Sequence, residues 1–154
     1  MTDTVDPETR SRIMASIRST ETGPEVALRK ALRALGVRGY RKNARLRPVY
    51  QYRTADVVFF RERVAVFVHG CFWHGCPDHY REPKTRGHFW AAKVASNRDR
   101  DLMTVAGLRR AGWAVFEFWE HEVNSDAESC AETVSSCLEI RRASSLWLGE
   151  RRFN

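Results

Sequence analysis

Eleven consecutive residues, "HGCFWHGCPDH" at 69–79, hold three histidines, two cysteines, two glycines and an adjacent Phe-Trp pair. Thiolates and imidazoles bind metals, free imidazoles move protons near neutral pH, and aromatic rings on a polar loop stack on flat partners. Cys71, Cys76 and His79 have the spacing C-x4-C-x2-H, looser than the C-x2-C of most zinc knuckles. A fourth ligand must come from elsewhere. His121, just past a later predicted strand, would complete a Cys2His2 set with no open position, as in a structural zinc site. The bland alternative is two buried cysteines and two surface histidines. Zinc is favoured because Gly70, Gly75 and Pro77 mark an irregular loop with little core of its own.

With His79 and His121 assigned to zinc, His69 and His74 remain free to act as general base or acid. Asp56 opens the preceding predicted strand and could bind a hard cation such as Mg2+. In a basic chain, a carboxylate-held cation beside free histidines points to phosphodiester hydrolysis. Lys93, Asn97 and Asp101 follow at steps of four and make a polar stripe on one helix face. Asp101 would either orient His74 or belong to a solvated face, and spacing alone favours the second. Glu25 is either the capping-box partner of Thr22 or an acid near the metal, and spacing alone favours the cap. Phe72, Trp73 and Trp90 would wedge between bases or pack over the zinc loop. An adjacent Phe72-Trp73 pair on a polar loop favours contact with a partner.

These residues need a scaffold. The chain of 154 residues is long enough for a single domain, 1–154, with a real core. Asp6 and Pro7 start an N-terminal helix within the segment 1–20, and Thr22 starts another whose face is Leu28, Ala31, Leu32 and Leu35, closed by Gly36. Residues 37–55 are basic and poorly periodic, which predicts a long loop. "ADVVFF" and "RVAVFVHG" read as an antiparallel strand pair, so the cluster begins where the second strand leaves the core. A long helix over 88–112, a third strand "WAVFEFWEHEV" and a C-terminal helix and tail over 124–154 complete the order. Ser125 and Glu128 open that last helix, with Ala127, Cys130, Val134, Cys137 and Leu138 as its inner stripe. The expectation is an α/β fold, a mixed central sheet flanked by helices.

The formal charge is +7, and twelve Lys and Arg against six acidic residues precede residue 61. That balance suits a polyanion, since phosphate-bound Lys and Arg release counterions. No apolar run nears the roughly 18 residues of a membrane span, and "MTDTVDPETR" has no secretory apolar core, so a cytoplasmic setting without membrane partners is expected. A disulfide framework is not expected there.

"HGCFWHGCPDH", "FWAAKVASNRDRD" and "GWAVFEFWEHE" resemble the very short patch repair (Vsr) endonucleases, over a span from "TRSRIMASIRST" to about residue 122. The resemblance implies a restriction-endonuclease-like fold with a structural zinc. It implies Mg2+-dependent nicking of one strand of double-stranded DNA beside a T:G mismatch left by deamination of 5-methylcytosine. Mismatch-repair proteins or a DNA cytosine methyltransferase system would be the protein partners. Carried over by position, Asp56 and the Val68 backbone carbonyl resemble the Mg2+ ligands, His74 the general base and Asp101 its orienting carboxylate. His69 resembles the second active-site histidine and Glu25 an acidic residue near the site. Phe72, Trp73 and Trp90 match the aromatic wedge, and Met14 matches a residue inserted from the opposite side. Lys93 and Asn97 are the expected helix contacts to DNA. Departures are Ala55 in place of a frequent proline, His121 in place of cysteine in some relatives, and the absence of a glycine-rich turn from "RPVYQYRT". A same-fold nickase of different specificity and a non-catalytic zinc-stapled DNA-binding module are the alternatives.

Overall fold

Residues 41–46, within the stretch that reads as a loop, are the first strand of the sheet. The structure, a computed structural model, describes Thr9, residues 20–47 and residues 51–150. Met14 and the expected N-terminal helix lie outside the described residues, Thr9 aside. The elements in order are α1 (Gly23–Ala34), β1 (Arg41–Leu46), β2 (Arg53–Phe59), β3 (Val64–His69), α2 (Gly87–Arg110), β4 (Ala114–Trp119) and α3 (Glu120–Glu150). "RKNARL" conceals its strand because every second residue does not turn apolar. It lies on the sheet edge with only Leu46 buried, and Asn43 takes a left-handed φ of 47° that interrupts the alternation. Its register comes from backbone pairing with β2, Ala44 opposite Ala55.

The sheet order is β1-β2-β3-β4. The first two pairings are antiparallel, while β3 and β4 run parallel and are joined through α2, the crossover that a parallel pair requires. β3 is buried on both faces, which explains its unbroken apolar run. Val64 and Val66 join one core with Leu28 and Leu32 of α1 and Val123, Val134 and Leu138 of α3. Ala65 and Phe67 join a second with Val105 and Leu108 of α2. Each fully buried Leu or Val stabilises the fold by roughly 1.5–3 kcal/mol. Leu35, expected on the inner face of α1, is instead 39% exposed, because the helix ends there. Gly36, at φ 77°, closes it: the Val37 and Gly36 N–H groups donate back to Leu32 and Arg33 carbonyls at 2.9 and 3.0 Å.

The last strand is shorter than its apolar sequence predicts. Helix starts at Glu120, so "EHEV" is helical and His121 sits in the first turn of α3. Asp126 (φ −153°, ψ 78°) breaks α3, and its carboxylate caps the second part by accepting from the Ser129 N–H at 2.9 Å. The start expected at Ser125 therefore belongs to Asp126. No helix among the described residues is long and apolar enough to cross a membrane.

Candidate active site

The sheet brings three strand ends to one edge. β2 runs against β3 and β4 runs with it, so the start of β2, the end of β3 and the end of β4 are neighbours. Asp56, His69 and Glu117 meet there. The loop 70–80 leaves β3 at the same place and folds back on α2.

Two glycines shape that loop. A Cβ on Gly70 would come within 3.3 Å of the Trp73 ring. Gly75 has a φ of 66°, and a Cβ there would collide with Val94 of α2. The loop closes on itself through the Cys76 and Tyr80 N–H groups, which donate to the Cys71 and Cys76 carbonyls at 2.9 Å each. The resulting turn gathers one donor atom from each of Cys71, Cys76, His79 and His121 within 4.8 Å of one another. Cys71 Sγ is 3.2 Å from His121 Nδ1, and Cys76 Sγ is 3.6 and 3.7 Å from the Nδ1 atoms of His121 and His79. Bonds of about 2.3 Å to sulfur and 2.1 Å to nitrogen put tetrahedral zinc donors roughly 3.5 Å apart, so the set fits such a cation. Burial pushes the Cys71 thiol up to about 11, so without a cation that thiol stays protonated at neutral pH. Two acidic residues brace the cluster: Glu120 accepts from the Cys71 N–H at 2.8 Å, and Asp78 lies 3.8 Å from His121 Nε2.

His74 takes no part in that cluster. Its Nδ1 lies 2.5 Å from Asp101 Oδ2, which leaves Nε2 unencumbered by that carboxylate. The His69 and His74 ring centres are 4.4 Å apart, and His69 Nε2 is 3.2 Å from Glu117 Oε1. Two imidazoles, each with its own carboxylate, therefore stand side by side. Glu117 was not foreseen. Its one signal is a carboxylate inside the apolar strand "AVFEFW".

Both imidazoles line a cavity of about 330 Å3 together with Glu25, Asp56, Val68 and Asp101. Tyr52, Arg53, Thr54, Phe67, Arg100 and Thr104, none of them anticipated, line the rest. Burial pushes the Asp56 carboxyl up to about 6, although the Val68 N–H donates to it at 2.6 Å; the nearby Glu25 charge raises it further. A carboxylate that burial disfavours, with a second acid nearby, is a fit place for a hard, oxygen-preferring cation. Glu25 is only 4% exposed. It accepts from the Glu21 N–H and the Thr22 hydroxyl at 2.9 Å each, and lines the cavity as well. The Thr22 hydroxyl is spent on this carboxylate and caps no backbone N–H, so the expected capping box does not form, while the Glu25 charge acts on Asp56 at a distance.

Phe72, Trp73 and Trp90 form one half-buried cluster with ring separations of 5.3 to 6.0 Å, and the more exposed Phe89 touches Trp90. Lys93 is exposed on α2. Asn97 is not available as a surface contact: it is 6% exposed, donates to the Trp73 carbonyl at 2.7 Å and accepts from Arg100. The stripe through Lys93, Asn97 and Asp101 is no solvated face, because the loop covers its lower two members.

The chain is similar to known DNA endonucleases. The sequence model described as DNA mismatch endonuclease Vsr matches residues 2–80. A "Type II nicking enzyme V.NaeI" of Lentzea aerocolonigenes is 47% identical over 119 residues, 77% of this chain and 71% of that protein. A "Type II nicking enzyme V.NmeDIP" of Neisseria meningitidis serogroup C is 40% identical over 88% of this chain and 90% of its own. The "DNA mismatch endonuclease Vsr" of Escherichia coli K12 is 32% identical over 90% and 86%.

Proposed function

Because this chain belongs to the DNA mismatch endonuclease Vsr family, it is an endonuclease with that family's restriction-endonuclease-like fold, and we propose that it nicks one strand of duplex DNA at T:G mismatches with Mg2+. The observation that carries the reading is a division of labour. Cys71, Cys76, His79 and His121 make one complete donor set, while His74 stays paired with Asp101 at the wall of the cavity that Asp56 lines.

In this reading Asp56 and the Val68 carbonyl hold Mg2+. When bound, the cation supplies charge neutralisation at the scissile phosphate and the leaving oxygen. His74 removes a proton from the attacking water through Nε2. Asp101 holds the other nitrogen, fixes the tautomer and stabilises the imidazolium that forms. His69 stands beside it against the same phosphate. Cys71, Cys76, His79 and His121 would hold zinc with no open position left, which would staple the loop that carries His74. Phe72, Trp73 and Trp90 wedge into the base step, with Lys93 on the phosphates. Asn97 moves from DNA contact to positioning, since its amide anchors Trp73. A mismatch left by deamination of 5-methylcytosine places the protein in the cytoplasm with the cell's DNA, serving a cytosine methyltransferase system.

Strand-specific nicking of matched duplexes and of each mismatch, with Mg2+ or with chelator, tests the proposal. T:G-selective, Mg2+-dependent nicking is expected. Equal cutting of matched duplex would instead indicate a nickase of another specificity, and salt-sensitive binding without cutting would leave a binding module.

A further inference from the structure

We infer that His69, His74 and Asp101 form a second transition-metal site, separate from the thiolate cluster, whose occupation by a cation such as Zn2+ turns nicking off. One ligand atom from each lies within 4.8 Å of the others. Two imidazoles and one carboxylate with open positions are the donors that zinc and its first-row neighbours take, whereas Mg2+ prefers oxygen alone. The outer shell is present too. Glu117 Oε1 is 3.2 Å from His69 Nε2, the carboxylate-imidazole relation that fixes a ligand ring and raises its basicity.

Space and charge agree. A second cavity, of about 190 Å3, shares His69, His74 and Asp101 with the first and adds Glu117, Arg98 and Trp119 to its wall. Its two carboxylates outweigh the charge of Arg98. A cation held there takes the imidazoles that hydrolysis needs. The switching consequence rests on the nickase reading above, but the binding site does not.

The test uses the full chain loaded with one zinc, dialysed against rising Zn2+ and, in parallel, reconstituted with Co2+. The wild type is expected to bind a second equivalent, and the second Co2+ to add d–d absorption without a thiolate charge-transfer band. Glu117→Gln, which keeps the ring's neighbour in size, should weaken only the second equivalent, by about tenfold or more. Nicking at saturating Mg2+ should fall about tenfold when Zn2+ is ten times the second dissociation constant. A single equivalent, or a second one that is sulfur-bound, would overturn the site. Two equivalents with undiminished nicking would overturn the switch. A protein that nicks no duplex at any zinc level would fell the nickase reading instead, with stoichiometry still deciding the site.

Discussion

At Asp56 the fold works against the charge that the reaction requires. The unfolded carboxyl releases its proton near 3.8, whereas in the folded protein burial and Glu25 hold the proton until about pH 6. A raised carboxyl binds more protons folded than unfolded between these values. Its favourable contribution is therefore complete below about pH 4 and is lost as pH rises through 6. In the metal-free protein at pH 8, Asp56→Asn should then be more stable than wild type, by on the order of 2–3 kcal/mol, because Asn still accepts from the Val68 N–H. Thermal unfolding with and without Mg2+ checks this. The gain should vanish near pH 4, and Mg2+ should raise the wild-type Tm alone. An asparagine variant no more stable at pH 8 would mean that the carboxylate is not under such stress.

The long helix α2 acts as a rail at the scale of elements. Val94 meets the loop at Gly75, Asn97 ties down the Trp73 carbonyl, and Asp101 holds His74. Steps of four put Lys93, Asn97 and Asp101 on one face, and that much was legible from spacing. What covers the face was not legible, because the cover arrives from a loop whose path depends on the strand ends. Asn97→Ala leaves the Trp73 carbonyl without its donor, a cost of about 1–3 kcal/mol. A lower Tm together with weaker duplex binding is expected. Weaker binding at an unchanged Tm would show that Asn97 touches DNA directly. Strand β1 was illegible for a related reason: a charged edge strand owes its conformation to its partner, not to its own pattern.

Across the whole molecule, chain direction does the gathering. Antiparallel β2 and parallel β4 flank β3, so residues some sixty positions apart, such as Asp56 and Glu117, reach one edge without a long loop. His69, Cys71, Cys76, His79 and His121 were readable as candidates because they lie at or just beyond strand ends beside turn residues, whereas Asp56, in the middle of β2, was singled out as a carboxylate beside an apolar run. Glu117 and Arg100 were not, since a single charge in a strand or helix announces neither its face nor its neighbour. The central claim is the partition of four donors that lock a loop from an imidazole that does chemistry. Its most direct measurement is single-turnover nicking of a T:G duplex by His74→Ala, with zinc content and DNA affinity determined on the same sample. Nicking should be slower by about 10²–10⁴-fold, with zinc and affinity at wild-type levels. Loss of zinc in that variant, or nicking at the wild-type rate, would contradict it.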